Sequence, residues 1–420
     1  MRRHRLLCVS KRHYSPLKEI PRASIVIPTM RNVALRTCLD SLRAIDDDGV
    51  TFEVLVVLND ASAEIELIAA DFRDAITSIR SPVNLGVSGG FNLGFGAARG
   101  EYLIQLQDDA IVEPGWLKHL VERADSTPSA GAIGSLVVDE NHSVIDPGHI
   151  VWRDGITQRG ILADGCEPEH YSECSPIDYH GSVGTLIRRE AWQSVSGLDD
   201  SYFPAYYGDV DFCLRLRERG WSILLEPKSR VIHSESKTST SLYVSFLIQH
   251  HCKTFSARHA DALAGRGVRS TDPKDLEREI NRAKNQPIHA TPAPPTAKEL
   301  AALEARLVRE PADVLRRDQD MRTLFSSWLE ETIHHLESEN QRLDELLLTT
   351  HQANQRLDEL LHSTHQANQH LGEQLTTLEK AYGANQHWAA ELETALLERQ
   401  PSRLHRLFKP FRALLTGRRT

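Results

Sequence analysis

The chain has 420 residues, of which 40% are apolar and 25% charged, and its formal net charge is -9 at pH 7. This length leaves room for one large domain and an accessory region, and the negative charge argues against nucleic acid as the main partner. No apolar run reaches the ~20 residues that a membrane-spanning helix needs. The apolar run in the basic N-terminal segment, residues 1–22, is too short for a secretory signal. We therefore expect a cytoplasmic protein.

Residues 23–263 alternate strand and helix patterns, which predicts an α/β domain. The predicted strands are short apolar runs: Ser24–Pro28, Phe52–Leu58, Ile76–Ile79, Tyr102–Leu106 and Ser229–Ile232. The predicted helices have an apolar face or follow a glycine-containing turn: Arg36–Ala44, Ala63–Phe72, Gly86–Arg99 and Phe212–Arg219. Repeated strand–helix–strand units predict right-handed crossovers and a doubly wound, mostly parallel, Rossmann-like sheet.

Polar side chains follow three of these strands where each strand ends. Thr29 follows the first strand, Asn59 and Asp60 the second, and the pair Asp108 and Asp109 a later one. Ligands bind beyond the carboxyl ends of the strands in such sheets. We therefore expect these side chains to converge on one crevice.

Two acidic pairs and one histidine are the candidates for chemistry. Adjacent carboxylates such as Asp108 and Asp109 can hold Mg²⁺ or Mn²⁺, which prefer oxygen ligands and share them with phosphates. Asp209 lies beside a glycine and two tyrosines, where it can face a cavity, whereas Asp211 opens a helix. His233 ends a strand and is a candidate metal ligand. The alternative for both acidic pairs is that they offset helix dipoles.

The C-terminal third has a different organisation. Residues 264–296 are rich in proline and glycine and read as a linker, and residues 297–335 read as helical with a break at Pro311. Residues 336–398 predict a coiled coil, because a two-heptad repeat keeps one apolar seam. Its members are Leu336, Leu343, Leu346, Thr350, Ala353, Leu357, Leu360, Thr364, Ala367, Leu371, Leu378, Ala381, Trp388, Leu392 and Ala395. We expect this segment to form homo-oligomers or to bind a partner protein; a lone solvated helix is the alternative.

The last segment, residues 399–420, carries several arginines, no acid and interleaved leucine and phenylalanine. A basic amphipathic tail of this kind can lie on an anionic membrane surface, which would make the protein peripheral on the inner face of the cytoplasmic membrane. A solubilising tail without membrane contact is the alternative.

Taken together, residues 23–262 resemble family 2 glycosyltransferases, the inverting GT-A type, and most closely the rhamnosyl- and galactofuranosyltransferase-like branch. The segments that carry the resemblance follow the family order: Ala23–Thr29, Leu55–Ser62, Asn84–Gly94, Gln107–Asp109, Arg188–Ala191, Gly197–Asp199 and Tyr207–Asp211. Each segment is weak alone, but the combined run is highly specific.

The resemblance implies roles for individual residues. It implies that nucleotide-sugar binding involves Thr29, Asp60, Asn84, Gly90, Asn92 and Asp108. It makes Asp109 and His233 the ligands of Mg²⁺ or Mn²⁺ and Asp209 the catalytic base, with Tyr207 and Asp211 supporting donor or acceptor. The chain departs from the family pattern at Gln107, which replaces the first acid of the D-x-D motif, and at Gly208, which replaces the acid before the base.

The resemblance implies transfer of a sugar from a UDP- or dTDP-linked donor to a hydroxyl group of a glycan or lipid-linked acceptor, with inversion, in surface polysaccharide biosynthesis. Two alternatives stay open. A catalytically degenerate domain could serve as a coiled-coil scaffold, and a nucleotidyltransferase would share the sheet and the acidic metal site. A nucleotidyltransferase would need a glycine-rich loop with lysine or arginine directly after the first strand. Thr29–Asn32, which follows that strand, contains only one arginine.

Overall fold

The computed structural model describes residues 20–45, 49–160, 171, 173–233, 242–286, 292–308 and 310–382, with side chains up to residue 373. The predicted basic tail, most of the basic N-terminal segment and the end of the predicted coiled coil lie outside the described residues. Within the described part, no helix combines the length and apolar character that crossing a membrane requires.

The strands follow one another as β1 Ala23–Thr29, β2 Phe52–Asn59, β3 Thr77–Ser81, β4 Tyr102–Gln105, β5 Ala110–Val112, β6 Ala130–Val138, β7 Val144–Asp146, β8 His149–Val151, β9 Thr157–Arg159, β10 Ser175–Pro176, β11 Thr185–Arg188 and β12 Ser222–His233. The α-helices are α1 Leu35–Ala44, α2 Ala63–Asp71, α3 Gly86–Ala97, α4 Trp116–Ser126, α5 Arg189–Ser194, α6 Gly208–Glu218, α7 Leu242–Arg258, α8 Ala260–Leu263, α9 Pro273–Lys284, α10 Ala297–Leu307 and α11 Pro311–Tyr382. The predicted strands and helices of residues 24–99 are each present within a few residues of their expected bounds.

One mixed, mostly parallel sheet organises the domain, with strand order β10-β12-β6-β11-β4-β1-β2-β3. The strands β3, β2, β1 and β4 form a parallel half, and β6 and β12 run in the same direction. The strand β11 lies antiparallel between β4 and β6, and β5, β7 and β10 are also antiparallel to their neighbours. The predicted mostly parallel sheet is therefore confirmed, and its antiparallel strands lie in the second half.

The central strands are apolar on both faces because helices cover both faces of the sheet. On one face Val26 and Val57 pack in the cluster that includes residues of α3, and on the other Ile25 and Val56 pack with α1 and α2. Gly94 lets α3 approach the sheet, because a Cβ atom at this position would collide with Val26. This close packing brings the start of α3 to the carboxyl edge of the sheet.

The stretch expected to be a linker, residues 264–296, contains the helix α9. Asp272 caps it by accepting a hydrogen bond from the Lys274 amide at 2.9 Å, and Pro273 occupies its first turn. Asp-Pro is a helix start signal, because proline has no amide hydrogen to leave unpaired there. The helix buries Ile280 and Ala283 in a small cluster with residues of β8 and its neighbour Trp152. The proline- and glycine-rich composition of this stretch predicted a linker, whereas the structure has an amphipathic helix there.

The chain divides into two compact units, residues 1–329 and 330–420. In the second unit the described part is one continuous stretch of α11. Its leucines on the apolar seam are largely exposed, from 42% at Leu357 to 69% at Leu360. A coiled coil needs a second helix, so its formation stays a prediction.

Candidate functional site

A cavity of about 850 Å³ opens at the carboxyl edge of the parallel half of the sheet. Its lining includes the ends of β1 and β2, the turn before α3, the loop after β4 and the start of α6. Of the residues predicted to be functional, it is lined by Thr29, Asn84, Asp108, Asp109 and Asp209. Polar residues that follow the predicted strands therefore form part of the lining, as expected from the sequence.

Asn59, the last residue of β2, organises the turn that forms one wall. Its side chain accepts a hydrogen bond from the Leu85 amide at 2.8 Å and donates to Asn84 at 3.2 Å. Asn84 in turn accepts from the Gly86 amide at 2.8 Å. Gly86 has a φ of +70° and its Cα lies against Pro204, so a side chain there would be both strained and blocked. Backbone and amide groups thus line this wall next to Thr29.

Asp108 lies deep in the cavity and accepts a hydrogen bond from the Asn32 side chain at 3.1 Å. Burial raises the pKa of Asp108 to about 6, and the charge of the neighbouring Asp109 adds to this rise. Two adjacent carboxyl groups in a poorly solvated pocket favour cations or hydroxyl groups as partners. This is the polarity that a divalent cation or a ribose presents.

Asp109 and His233 come together because of strand pairing. The strand β5 follows Asp109 directly and runs antiparallel to β12, with Ala110 opposite His233. The His233 Nε2 atom lies 3.1 Å from Asp109 Oδ1, and both side chains are mostly buried. An imidazole nitrogen thus lies beside a carboxylate that lines the cavity.

Asp209 occupies the first turn of α6, not the preceding loop where we expected it. Its Oδ1 atom accepts from the Val210 amide at 2.9 Å, and a Cβ atom on Gly181 would lie 3.6 Å from its other oxygen. Burial raises the pKa of Asp209 to about 6 although the helix amides favour the charged form. A carboxylate with a pKa near neutrality can take up and release a proton at working pH.

The two departures from the family pattern have structural explanations. Gln107 donates a hydrogen bond from Nε2 to Ser182 at 3.0 Å, which ties the loop after β4 to the loop before β11. Gly208 lies so close to the Ser88 hydroxyl that a Cβ atom would collide with it. In this chain the starts of α3 and α6 approach too closely for an acidic side chain at residue 208.

Six residues expected at the site lie outside the cavity lining. One is His233, which contacts the lining residue Asp109. Asp60 is exposed at a turn with a φ of 55°. Gly90 packs against Pro28, and Asn92 is buried, where it binds both backbone groups of Leu198 and the Trp192 indole. The two remaining residues, Tyr207 and Asp211, have structural partners of their own.

The Tyr207 hydroxyl donates to the Gly155 carbonyl at 3.1 Å, and its ring packs against Phe255. Asp211 is fully buried and pairs with Arg215 at 2.6 Å and His259 at 2.9 Å. Arginine and histidine hold the pKa of Asp211 well below its usual range against the effect of burial. These contacts anchor α6 and so position Asp209 without adding to the cavity.

A further wall of the cavity, formed by the hairpin after β6, was not predicted from the sequence. Asp146 and His149 line the cavity, with His149 Nδ1 3.4 Å from Asp146 Oδ1. The His149 ring stacks on Tyr179 at 4.5 Å between centroids, and burial lowers its pKa. Short strands of three residues have too little periodicity to be predicted, so no signal in the sequence marked these residues.

The chain is similar in sequence to a known glycosyltransferase and to a polysaccharide-biosynthesis protein. The family model described as "Glycosyl transferase family 2" matches residues 24–176. The "N-acetylglucosaminyl-diphospho-decaprenol L-rhamnosyltransferase" of Mycobacterium tuberculosis is 27% identical over 203 residues, covering 40% of this chain and 64% of that protein. The "Succinoglycan biosynthesis protein ExoO" of Rhizobium meliloti is 38% identical over 97 residues, covering 23% of this chain and 28% of that protein.

These alignments span less than two thirds of either relative. Among solved structures, the crystal structure of GalNAc-T7 with UDP, GalNAc and Mn²⁺ has a TM-score of 0.45 and 15% identity. That match covers 63% of this chain and 55% of the other.

Proposed function

The chain belongs to glycosyl transferase family 2 through residues 24–176, and from this premise we propose that it transfers a sugar from a nucleotide-diphosphate sugar to an acceptor hydroxyl group with inversion. The observation that carries the proposal is one cavity lined by two different acidic centres. One is Asp108 and Asp109, where Asp109 also contacts His233 outside the lining, and the other is Asp209. The first suits a diphosphate-bound cation, and the second suits proton removal from the acceptor.

Asp209 is the proposed catalytic base. As the acceptor oxygen forms a bond to the anomeric carbon, the bond from that carbon to the diphosphate oxygen breaks. The acceptor proton passes to the Asp209 carboxylate, and the nucleoside diphosphate leaves with the electron pair. A single displacement from the opposite face inverts the anomeric centre. A pKa of about 6 leaves Asp209 ionised at neutral pH but basic enough to accept a proton.

The donor set fits a divalent cation that is shared with its ligand. Asp109 and His233 offer one carboxylate oxygen and one imidazole nitrogen, a pair that Mn²⁺ accepts, whereas Mg²⁺ would use the carboxylates of Asp108 and Asp109. Among the described residues no three His, Cys, Asp or Glu side chains gather closely enough to hold a metal on their own. Diphosphate oxygens would therefore complete the shell. A cation bound there stabilises the charge that develops on the leaving diphosphate.

The wall formed by the ends of β1 and β2 and by the turn before α3 fits the nucleoside part of the donor. Thr29 and Asn59 end adjacent strands, and Asn84 lies in the turn before α3. We propose that this hydroxyl and these two amides contact the base and ribose. Asp60 would reach such a ligand only after a change at its exposed turn. The relatives act on a decaprenol-linked substrate or in succinoglycan biosynthesis, as their names state. By this likeness, we propose a UDP- or dTDP-sugar donor and a glycan or lipid-linked acceptor in surface polysaccharide biosynthesis.

Nucleotide binding to the full chain tests the proposal by thermal shift. The panel is UDP, dTDP and GDP, each with and without Mn²⁺, on the native chain and on Asp109→Asn. A ligand at 100 times its Kd stabilises by about 2.7 kcal/mol, which raises the Tm by roughly 5–10 °C for a domain of this size. We expect one nucleotide to give this shift in native protein only when Mn²⁺ is present.

In Asp109→Asn the metal-dependent part of the shift should be lost while the Tm without ligand stays similar, because asparagine keeps the size of the side chain and an Oδ1 acceptor for His233. No shift with any nucleotide would favour the degenerate scaffold. The corresponding nucleoside triphosphates are tested in parallel, and a shift that exceeds those of all three diphosphates would favour a nucleotidyltransferase.

We also propose that the basic tail, residues 399–420, holds the protein on an anionic membrane, where lipid-linked acceptors lie. Its arginines alternate with leucine and phenylalanine. Cosedimentation with vesicles containing anionic lipid should lose most bound protein when the tail is removed or when salt is raised. Equal binding by the full and shortened chains would contradict the proposal.

A further inference from the structure

The second unit presents an apolar surface along α11 that the described chain leaves exposed. Leu343, Leu346 and Leu360 of the seam are 58%, 63% and 69% exposed. The seam continues over several heptads, which is the pattern of a helix that packs along another helix. A second copy of this helix can run along the seam in a parallel or an antiparallel direction.

The seam alternates large and small layers every seven residues. Large layers are formed by Leu343 with Leu346 and by Leu357 with Leu360; small layers are formed by Thr350 with Ala353 and by Thr364 with Ala367. The two threonine hydroxyls each donate to the carbonyl four residues earlier, at 2.7 Å. Because these hydroxyls are satisfied within the helix, the threonines can be buried and present only their methyl groups.

A parallel pair in register would match each layer with itself. Leucine layers would hold the helix axes apart, while the Thr350 and Ala353 layers between them would be left underfilled. Well-packed cores place large residues against small ones so that the layers interdigitate. A parallel pair shifted by one heptad would match large with small, but that shift repeats from copy to copy and gives an open filament, not a closed pair.

We infer that two copies of this helix pair antiparallel about a two-fold axis near residue 355. This register places every large residue of the four layers opposite a small one. The facing pairs are Leu343 with Ala367, Leu346 with Thr364, Thr350 with Leu360, and Ala353 with Leu357. The symmetric contact closes on itself, so the assembly stops at two copies.

Two further leucines flank the seam on one side. Leu347 and Leu361 are 74% and 44% exposed, and each follows a large layer by one residue. In the antiparallel register Leu347 of one helix meets Leu361 of the other, so both are covered. In the parallel pair they would face Arg342 and Arg356 instead. The antiparallel pair therefore buries more of the exposed apolar surface.

Spin-label distances in the full chain test the direction. The self-association proposed from the heptad pattern is a premise, so light scattering on the same samples comes first. Single labels are introduced at Ser338→Cys or at Gln355→Cys, in a chain in which Cys8, Cys166, Cys174 and Cys252 are serine. Cys38 and Cys213 stay because they are buried. Unchanged thermal unfolding of the label-free chain is the control for folding.

At residue 338 we expect a separation of ~50 Å, from ~1.5 Å per residue along two opposed helices. At residue 355, beside the axis, we expect about 20 Å or less, from axes that lie 8–10 Å apart. Short distances at both positions would overturn the antiparallel direction while leaving self-association intact. A monomer in light scattering would overturn the pairing itself.

An independent variant separates the two directions. The antiparallel register brings the two Arg356 side chains near each other, whereas a parallel pair places each beside Leu361. Arg356→Gln should then tighten the dimer roughly two-fold, the scale of a relieved like-charge pair on helices. Unchanged or weaker dimerisation would count against the register.

Discussion

Replacing Asp209 with asparagine should reduce sugar transfer by about 10²–10⁴-fold, the range that a positioned general base contributes. Asparagine keeps the size of the side chain but cannot accept a proton. The substitution leaves the Asp109 and His233 pair untouched, so the thermal shift with nucleotide and Mn²⁺ should persist. The measurement is the transfer rate with native chain and Asp209→Asn side by side, using the nucleotide class that the thermal shift identifies.

The pH dependence of the native enzyme provides a second readout. Because the pKa of Asp209 is raised to about 6, the transfer rate should fall as pH drops through about 6, where the base becomes protonated. The raised pKa of Asp209 also predicts an effect on stability: ionisation of Asp209 favours sugar transfer but disfavours the folded state. An acid whose pKa is higher in the folded than in the unfolded chain destabilises the fold once ionised, so the stability cost is complete above about pH 6. Asp209→Asn should therefore raise the Tm at pH 8 and change it little at pH 4.

A matched surface control is Asp40→Asn, an exposed residue on α1 away from the cavity lining. It should change neither the transfer rate nor the Tm appreciably. If Asp209→Asn transferred sugar at the native rate, Asp209 would not be the base. If it lost nucleotide binding together with transfer, its role would be structural.

Sequence patterns predicted the first half of the fold because each element there is long and periodic. The apolar run of β2 and the one-sided helix α1 appear where alternation and helical spacing indicate. The second half was harder, because β11 enters the sheet antiparallel between β4 and β6 through tertiary packing that local spacing does not encode. The helix α9 was missed for another reason: a proline-rich composition outweighed its Asp272 cap.

The same contrast between local sequence signals and tertiary packing applies to the residues of the site. Strand ends are visible in the sequence, so Asp108, Asp109 and their neighbours could be placed at one edge of the sheet. The direction of a side chain is not visible, and Asn92 and Asp211 turned into the protein to satisfy buried partners. His149 could not be predicted, because only the fold of a short hairpin brings it to the cavity.

A buried carboxylate outside the cavity lining should have the largest effect on stability. Asp178 is fully buried and pairs with Arg217 at 3.1 Å, Arg266 at 2.6 Å and Arg282 at 2.5 Å. It also accepts the Val151 amide at 2.9 Å, so one side chain joins α6, α9 and β8. Burial alone would raise its pKa, but the arginines outweigh burial and hold the pKa of Asp178 well below its usual range.

Asp178→Asn should lower the free energy of unfolding by about 3–5 kcal/mol at pH 7, because the substitution leaves buried arginines without their counter-charge. Urea titration measures the loss. Asp318→Asn is the control, because Asp318 pairs with the exposed Arg322 at 2.8 Å and loss of this pair should change stability little. A carboxylate with a depressed pKa stabilises the fold above its unfolded pKa of about 4 and loses that contribution as pH falls further. The gap between native chain and Asp178→Asn should therefore be full at pH 7 and narrow below pH 4. A gap that stays constant with pH would mean that asparagine disturbs packing and that the charge of Asp178 is not what holds these three elements together.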